Sequence, residues 1–413
     1  MNLLDIGEMK AKMFRYKYSV IFLLYFITAC YLSKNTTLVF EWKVIMEDFL
    51  IYHDYYYLGK PSAYMPPLYP YYLLLIKSIF KTPEWVMISC ILQSVILFFS
   101  VLLLVLSFKE NAINKRNYSF AFVCIIFFPP ILIGATKISS FALTASIFCI
   151  FFALILKLSQ KLTAKNIILI AIFSIAGLYI RYEFLFLMII SAIILIGFKK
   201  MKYYNLLPVF AFIFVAYLPW CIRNYEKIGV FHYSTSLHYN FAKGNNEKYD
   251  ILSSENLPYD PAKKMILTDE YLRQNFTDEK QIDQYLQQLN KNFISEHPKL
   301  FIKNSLKKIG ISFLNYYPGN YNFTSPYVMY LYSVVLLVFS LLFIYTIIQK
   351  LRLGFTFDAA FPGIIFIFYL LFYSVAPLPR YFLLYFPLFF LFVFQNFNVK
   401  HHSYLLKLKK TNG

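Results

Sequence analysis

The sequence predicts an all-α polytopic membrane protein. Three observations carry that prediction: the composition, a series of apolar runs of span length, and the placement of basic residues between them. Hydrophobic residues make up 59% of the 413-residue chain and charged residues 15%, with a mean hydropathy of +0.55, too apolar for a water-soluble chain of this length. A helix needs roughly 20 apolar residues to cross a bilayer. On that measure there are about ten spans, near 18–33, 84–107, 118–135, 139–157, 165–180, 183–198, 205–222, 327–348, 359–376 and 381–397. In a soluble chain a net charge of +19 would suggest nucleic acid. Here the lysines and arginines flank apolar runs and read as orientation signals, so no nucleic-acid partner is expected.

In chain order, Lys10, Lys12, Arg15 and Lys17 precede the first span. Lys109/Lys115/Arg116, Lys157/Lys161/Lys165, Lys199/Lys200/Lys202, Lys350/Arg352 and Lys400/Lys407/Lys409/Lys410 then fall in every second loop. By the positive-inside rule both termini are cytoplasmic, in a bacterial inner or plasma membrane. Facing outward are the loop 34–83, tight hairpins around Lys137, Arg181 and Arg380, and the long segment 223–326. Ile27-Thr28-Ala29-Cys30 matches a lipoprotein cleavage box but reads as chance inside the first span. After Pro66-Pro67 a short apolar helix, about 68–80, is expected to lie in the interface. The chain divides into an N-terminal transmembrane region, 1–222, an extracytoplasmic loop subdomain, 223–326, and a C-terminal transmembrane region with a basic cytoplasmic tail, 327–413.

The apolar run ending at Leu218 meets Pro219 and Trp220, which place the helix exit in the interfacial belt with Arg223 at headgroup depth. In 223–326, Ile282, Tyr285, Leu289, Phe293, Leu300 and Phe301 are spaced for one face of two amphipathic helices broken near Pro298. The stretch YDILSSENLPYDP reads as a loop. All five cysteines lie within or at the end of apolar runs, so neither a disulfide in the polar segment nor a zinc site is expected.

Candidate chemistry gathers on the outer side. Asp48, with Glu47 beside it and Tyr52-His53 after it, stands in a loop that Pro66, Pro67 and Pro70 turn back toward the membrane. A carboxylate there suits a general base acting on an acceptor hydroxyl or amine; the competing reading is a solvated loop acid. Arg181, Arg223 and Arg380 reach one membrane face against the positive-inside bias. Guanidinium is a fixed cation that grips phosphate oxygens with two N–H groups, which suits a shared anionic ligand better than three separate snorkelling side chains. Lys137 belongs to the same field or simply packs its hairpin. His53, His232 and His238 match no metal-ligand spacing.

Four motifs occur in order: EDFLIYH followed by PPLYP in the first outer loop, IRYE at Arg181, PWCIRNYEKIGVF followed by GNN, and PRYFLLYFP before the last span. With FISEHPKLFIKNSLKKI, they resemble the GT-C superfamily of glycosyltransferases that use polyprenyl-phosphate sugars, in the branch of protein O-mannosyltransferases and aminoarabinose transferases. The resemblance covers most of the chain. It implies that Asp48 is the catalytic carboxylate, that Arg181, Arg223 and Arg380 surround the lipid phosphate, and that Tyr381 and Tyr52 line the cavity. Many relatives carry an acid after the second outer hairpin where this chain reads Ser139-Ser140-Phe141, which removes a group for metal binding or acceptor positioning.

The expected function is transfer of a sugar from a polyprenyl-phosphate carrier to a lipid, glycan or protein acceptor at the extracytoplasmic face. The carrier-linked sugar is the donor, no cofactor is called for, and a divalent metal has no ligand pattern to support it. Two alternatives stand beside it. A lipid-linked glycan polymerase or ligase would grip pyrophosphate with the arginines and need no carboxylate. A transporter or flippase is disfavoured by the scarcity of charges within spans and by only 12 glycines for hinges.

Overall fold

The computed structural model describes residues 3–110, 118–231, 234–250, 256–314, 326–374 and 381–411. From the N-terminus, α1 (Leu3–Ser33) and α2 (Phe40–Tyr52) lead into a hairpin of β1 (Tyr56–Tyr57) and β2 (Lys60–Pro61), then α3 (Leu68–Ile79). There follow α4 (Trp85–Glu110), α5 (Tyr118–Ile126), α6 (Pro129–Ala135), α7 (Phe141–Gln160), α8 (Ala164–Ile180), α9 (Phe184–Gly197) and α10 (Leu207–Ile228). The segment expected to face outward, called the outer segment below, contains α11 (Ser236–Gly244), a hairpin of β3 (Tyr259–Asp260) and β4 (Met265–Ile266), α12 (Asp269–Asn275), α13 (Glu279–Glu296) and α14 (Pro298–Leu314). The chain closes with α15 (Pro326–Leu353), α16 (Phe357–Tyr373) and α17 (Phe382–Thr411).

Each of the ten predicted apolar runs is helical, but they are not equal. Among the described residues five helices are long and apolar enough to cross a membrane: Tyr16–Ser33 within α1, α4, α7, Tyr203–Ile228 and Leu331–Leu353. The pair α5 and α6, bent by 57° where Pro129 and Pro130 interrupt the run, makes a sixth if taken as one span. The helices α8, α9, α16 and Phe382–Asn396 are shorter, reaching about 20–26 Å at the α-helical rise, against roughly 30 Å of hydrocarbon. Leu23, Leu24, Phe99, Phe212, Val215, Leu331 and Leu341 are each more than half exposed on these helices. Apolar surface of that extent is stable against lipid rather than water.

α7 runs through the middle, with α4, α6, α8 and α17 packed around it. Phe148 on α7 meets Phe184 at 5.4 Å and Tyr385 at 5.3 Å between ring centroids. Serines survive inside α4 because Ser94, Ser100 and Ser107 donate to carbonyls one turn back, of Cys90, Ile96 and Leu103. Glycine sets the close approach at two hairpins. A Cβ on Gly177 would lie 2.5 Å from the Phe184 ring, and one on Gly134 would lie 2.8 Å from the Phe141 ring.

Two local expectations change and one, the break near Pro298, holds. The helix does not end near residue 222: α10 continues through Pro219 and past that corner to Gly229, which closes it at φ 71. The hydroxyl of Tyr179 donates to Ala216 O at 2.7 Å and ties α8 to α10 just before Pro219. The break between α13 and α14 falls at His297, beside the expected Pro298. The buried face of α13 is Glu279, Ile282, Asp283, Leu286, Asn290 and Phe293, while Tyr285 and Leu289 are only partly covered. Polar residues enter that face because the outer segment gives them partners; Asn290 Nδ2, for example, donates to His238 O at 3.0 Å.

Candidate active site around the first loop

Much of the polar contact of the predicted outer loop gathers at the hairpin after α2. Leu58 and Gly59, both at positive φ (53 and 73), form its two-residue turn. Asp48 Oδ2 accepts from Gly59 N–H at 2.9 Å, so the predicted base ties α2 to this turn. Tyr52 stacks on Tyr56 at 4.3 Å. His53 ends α2 in the left-handed region and is exposed. Glu47 sits 3.9 Å from Lys43 in an exposed i,i+4 pair, a solvated helix face.

Arg223, in the last turns of α10, holds the near side of this hairpin. Its Nε donates to Asp54 Oδ1 at 3.1 Å, Nη1 to Ser62 O at 2.7 Å and Asn224 Oδ1 at 3.1 Å, and Nη2 to Tyr55 O. The guanidinium also lies 5.2 Å from the Trp220 ring centroid. Most of its hydrogen-bonding capacity is therefore spent within the protein, on the loop rather than outward. Lys227, one turn later, comes to 4.0 Å from Asp54 Oδ2.

The outer segment holds the far side. Lys60 Nζ donates to Arg273 O at 2.6 Å and Phe276 O at 2.8 Å, satisfying carbonyls at the end of α12. Glu279 Oε1 accepts from Ala63 N–H at 2.8 Å and from the Thr235 hydroxyl, and Glu279 Oε2 accepts from Arg273 Nη2 at 2.8 Å. Thr235 N–H donates to Ala63 O at 3.0 Å, and the Tyr57 hydroxyl donates to Asp269 Oδ2 at 3.2 Å. One turn beyond Glu279, burial beside that carboxylate pushes the Asp283 pKa up to about 7. On α14, Lys308 Nζ donates to Asn245 Oδ1 at 2.9 Å, and burial lowers its pKa to about 7.

Arg181 forms a different arrangement at the α8–α9 hairpin. Its Nε donates to Glu183 Oε1, which also accepts from the Tyr373 hydroxyl at 2.9 Å, and its guanidinium lies 4.3 Å from the Tyr381 ring centroid. Tyr381 stacks on Tyr373 at 4.6 Å. Lys137 is half-buried, and its carbonyl, with that of Ala135, accepts from Gln93 Nε2 at 2.6 and 2.9 Å, which pins the hairpin to α4. Arg380 and His232 lie outside the described residues. Among the described residues no group of three or more His, Cys, Asp or Glu is arranged to hold a metal ion.

Asp54, Glu183, Arg273, Glu279 and Asp283 were not singled out in the sequence. Glu183 was legible as the acid two residues after Arg181 in an otherwise apolar hairpin, and Asp54 as the second aspartate of the loop. Nothing local joins Arg273 and Glu279 to residues 57–63. No family model matches the chain, and no curated protein matches it. Among solved structures, the crystal structure of ArnT from Cupriavidus metallidurans bound to undecaprenyl phosphate is similar over 93% of this chain and 77% of that one, with 11% identity and a TM-score of 0.46. At that identity and score the likeness assigns no role to any residue here.

Proposed function

We propose that this protein is an integral-membrane glycosyltransferase that moves a sugar from a polyprenyl-phosphate carrier to an acceptor at the extracytoplasmic face. One observation carries the reading: a hairpin gripped by Asp48 from α2 and preceded by Asp54 is fastened to the end of an apolar helix by Arg223 and to a polar outer segment by Glu279. Carboxylates and cations thus meet where a lipid headgroup and a water-borne acceptor would both have access.

In this reading Asp48 takes the proton of the acceptor hydroxyl as its oxygen attacks the anomeric carbon. The bond from that carbon to the phosphate oxygen breaks, and polyprenyl phosphate leaves with the electron pair. Arg181 and Arg380 stabilise the charge on the departing phosphate, with Tyr381 packed on the Arg181 guanidinium. Arg223 acts through the loop as a positioning residue, with Asp54 as its counter-charge. Tyr52 and His53, at the end of the helix that carries Asp48, are assigned to substrate binding beside it; Glu47, on a solvated face, and Lys137, in its own hairpin, are given no step. A single displacement inverts the anomeric carbon.

The test is release of polyprenyl phosphate from a panel of undecaprenyl-phosphate hexoses and pentoses by the full chain in liposomes, with an envelope glycan extract as acceptor. Asp48→Asn keeps an oxygen for the Gly59 N–H and removes the charge. It is expected to lower turnover about 10²- to 10⁴-fold at unchanged thermal stability. Wild-type turnover in the Asp48→Asn protein would remove the base. Vesicle transport of the carrier sugar without its cleavage would replace the enzyme with a transporter.

A further inference from the structure

Between the β1–β2 hairpin and the outer segment lies a small cavity whose lining includes Tyr57, Tyr64, Tyr239, Arg273, Glu279 and Asp283. Its walls are unusual for so enclosed a place. Arg273 is 8% exposed, Glu279 3% and Asp283 8%. Arg273 Nη2 is occupied by Glu279 Oε2 at 2.8 Å and by the Ser62 hydroxyl at 3.4 Å. Arg273 Nη1 has no hydrogen-bond partner among the described residues. A buried donor left unpaired costs about 1–3 kcal/mol, more when charged, so the site calls for an acceptor. Three rings exclude bulk water around it: Tyr57 and Tyr64 stack at 5.6 Å, and Tyr239 meets Tyr64 edge-on at 5.4 Å.

The charges decide which acceptor fits. An anion could accept from Arg273, but it would face the carboxylates of Asp269, Glu279 and Asp283 on the same walls. An ammonium would suit those carboxylates but has no lone pair for Arg273 Nη1. A hydroxyl does both: it accepts from the guanidinium and donates to a carboxylate. The cavity has room for about one water-sized group, which admits a substituent and not a ring.

We propose that this cavity is a hydroxyl-reading subsite for a neutral sugar, in which one hydroxyl or hydroxymethyl group is held between Arg273 and Asp283 while the ring stays outside. The assignment rests on the transferase reading only in naming a sugar as what this face handles. It makes the Tyr57–Tyr64 and Asp269–Asp283 regions determinants of specificity, apart from the residues proposed to move the proton or hold the phosphate.

The experiment is equilibrium binding to the full-length chain in nanodiscs free of carrier lipid, read by saturation-transfer difference NMR. The probes are methyl glucoside, methyl mannoside, methyl galactoside, glucosamine and glucuronate. At least one neutral glycoside is expected to bind, and in its monodeoxy series loss of a single hydroxyl should weaken binding tenfold or more. Arg273→Lys and Asp283→Asn should each lower its affinity at least tenfold. Asp283→Asn keeps shape and volume, so it decides the matter should Arg273→Lys fail to fold. The proposal is overturned if no neutral glycoside binds, if a folded Asp283→Asn protein binds as wild type does, or if glucosamine or glucuronate binds as tightly. Sugar transfer from the lipid carrier without glycoside binding sinks the subsite alone. Glycoside binding without transfer sinks the transferase reading alone.

Discussion

Arg181 and Arg223 fit one description in the sequence, a single arginine where an apolar run gives way, and they are almost equally covered, at 17% and 16% side-chain exposure. Their partners separate them. Arg181 pairs with Glu183, two residues away and 1% exposed, between Tyr373 of α16 and Tyr381 just ahead of α17. Arg223 reaches 169 residues back to Asp54, which is 25% exposed, and on to the carbonyls of Tyr55 and Ser62. The first pair is local and largely buried, so it fixes the Arg181 guanidinium at its hairpin. The second is distant and wetter, so its work is to place a loop. A cation's own exposure says little about its role; its partner's burial and sequence distance say more.

The largest effect that would break this contrast is at Glu183. Glu183→Ala leaves the Arg181 charge enclosed without its counter-ion, and removing one member of a buried pair costs about 3–5 kcal/mol. Denaturant unfolding in detergent should show that loss, with most of it recovered in the Arg181→Met, Glu183→Ala double variant. A loss below about 1 kcal/mol would mean that the pair is hydrated. In the same hairpin, Gly177→Ala forces a Cβ against the Phe184 ring, and overpacking of this kind costs about 1–3 kcal/mol. Gly134→Ala should cost less, because its clash with Phe141 is milder, at 2.8 Å against 2.5 Å. Equal melting temperatures for the two variants would show that one of the rings swings aside.

Asp54→Ala is expected to cost stability by no more than about 1 kcal/mol, since the pair is partly exposed and screened. It should nevertheless open residues 54–64 to limited proteolysis, and the same opening should be seen in the wild type at high salt. Protection equal to wild type at every salt concentration would deny Arg223 its role in placing the loop.

The smallest effect concerns pH. With its folded pKa raised to about 7 from 3.8, Asp283 keeps its proton in the fold where the unfolded chain has lost it. Its contribution therefore grows less favourable from about pH 4 to pH 7 and stays unfavourable above that. Asp283→Asn should raise the melting temperature at pH 8 and leave it nearly unchanged at pH 4. The neighbouring charges Glu279, Arg273 and Asp269 remain in both proteins, so the difference between the two pH profiles isolates this group.

Much of the helical framework was legible because it obeys local rules. The apolar runs became helices near their expected limits, and α3 appeared at Leu68–Ile79 after its two prolines. Thr268 and Asp278 cap α12 and α13 by accepting from Tyr271 and Gln281 N–H groups, a pattern visible in TDEY and TDEKQ. The helix α10 outran its expected end because proline disturbs one turn, whereas Gly229 at positive φ stops the helix. In the candidate site, Asp48 was legible as an acid in an outer loop. Its bond to Gly59 was not, because a turn with two positive-φ residues, one of them Leu58, follows no short sequence signature.

The sequence by itself determined the class of this protein: apolar helices of membrane length, their breaks at proline and glycine, and an acid-bearing loop near lone arginines. All of that depends on interactions among residues a few positions apart and on the partition of side chains between oil and water. Only the tertiary structure decided which charges meet. Asp54 with Arg223, and Ala63 with Glu279 across 216 residues, are pairings that exist only once the bundle has brought them together, and the second is strengthened by burial.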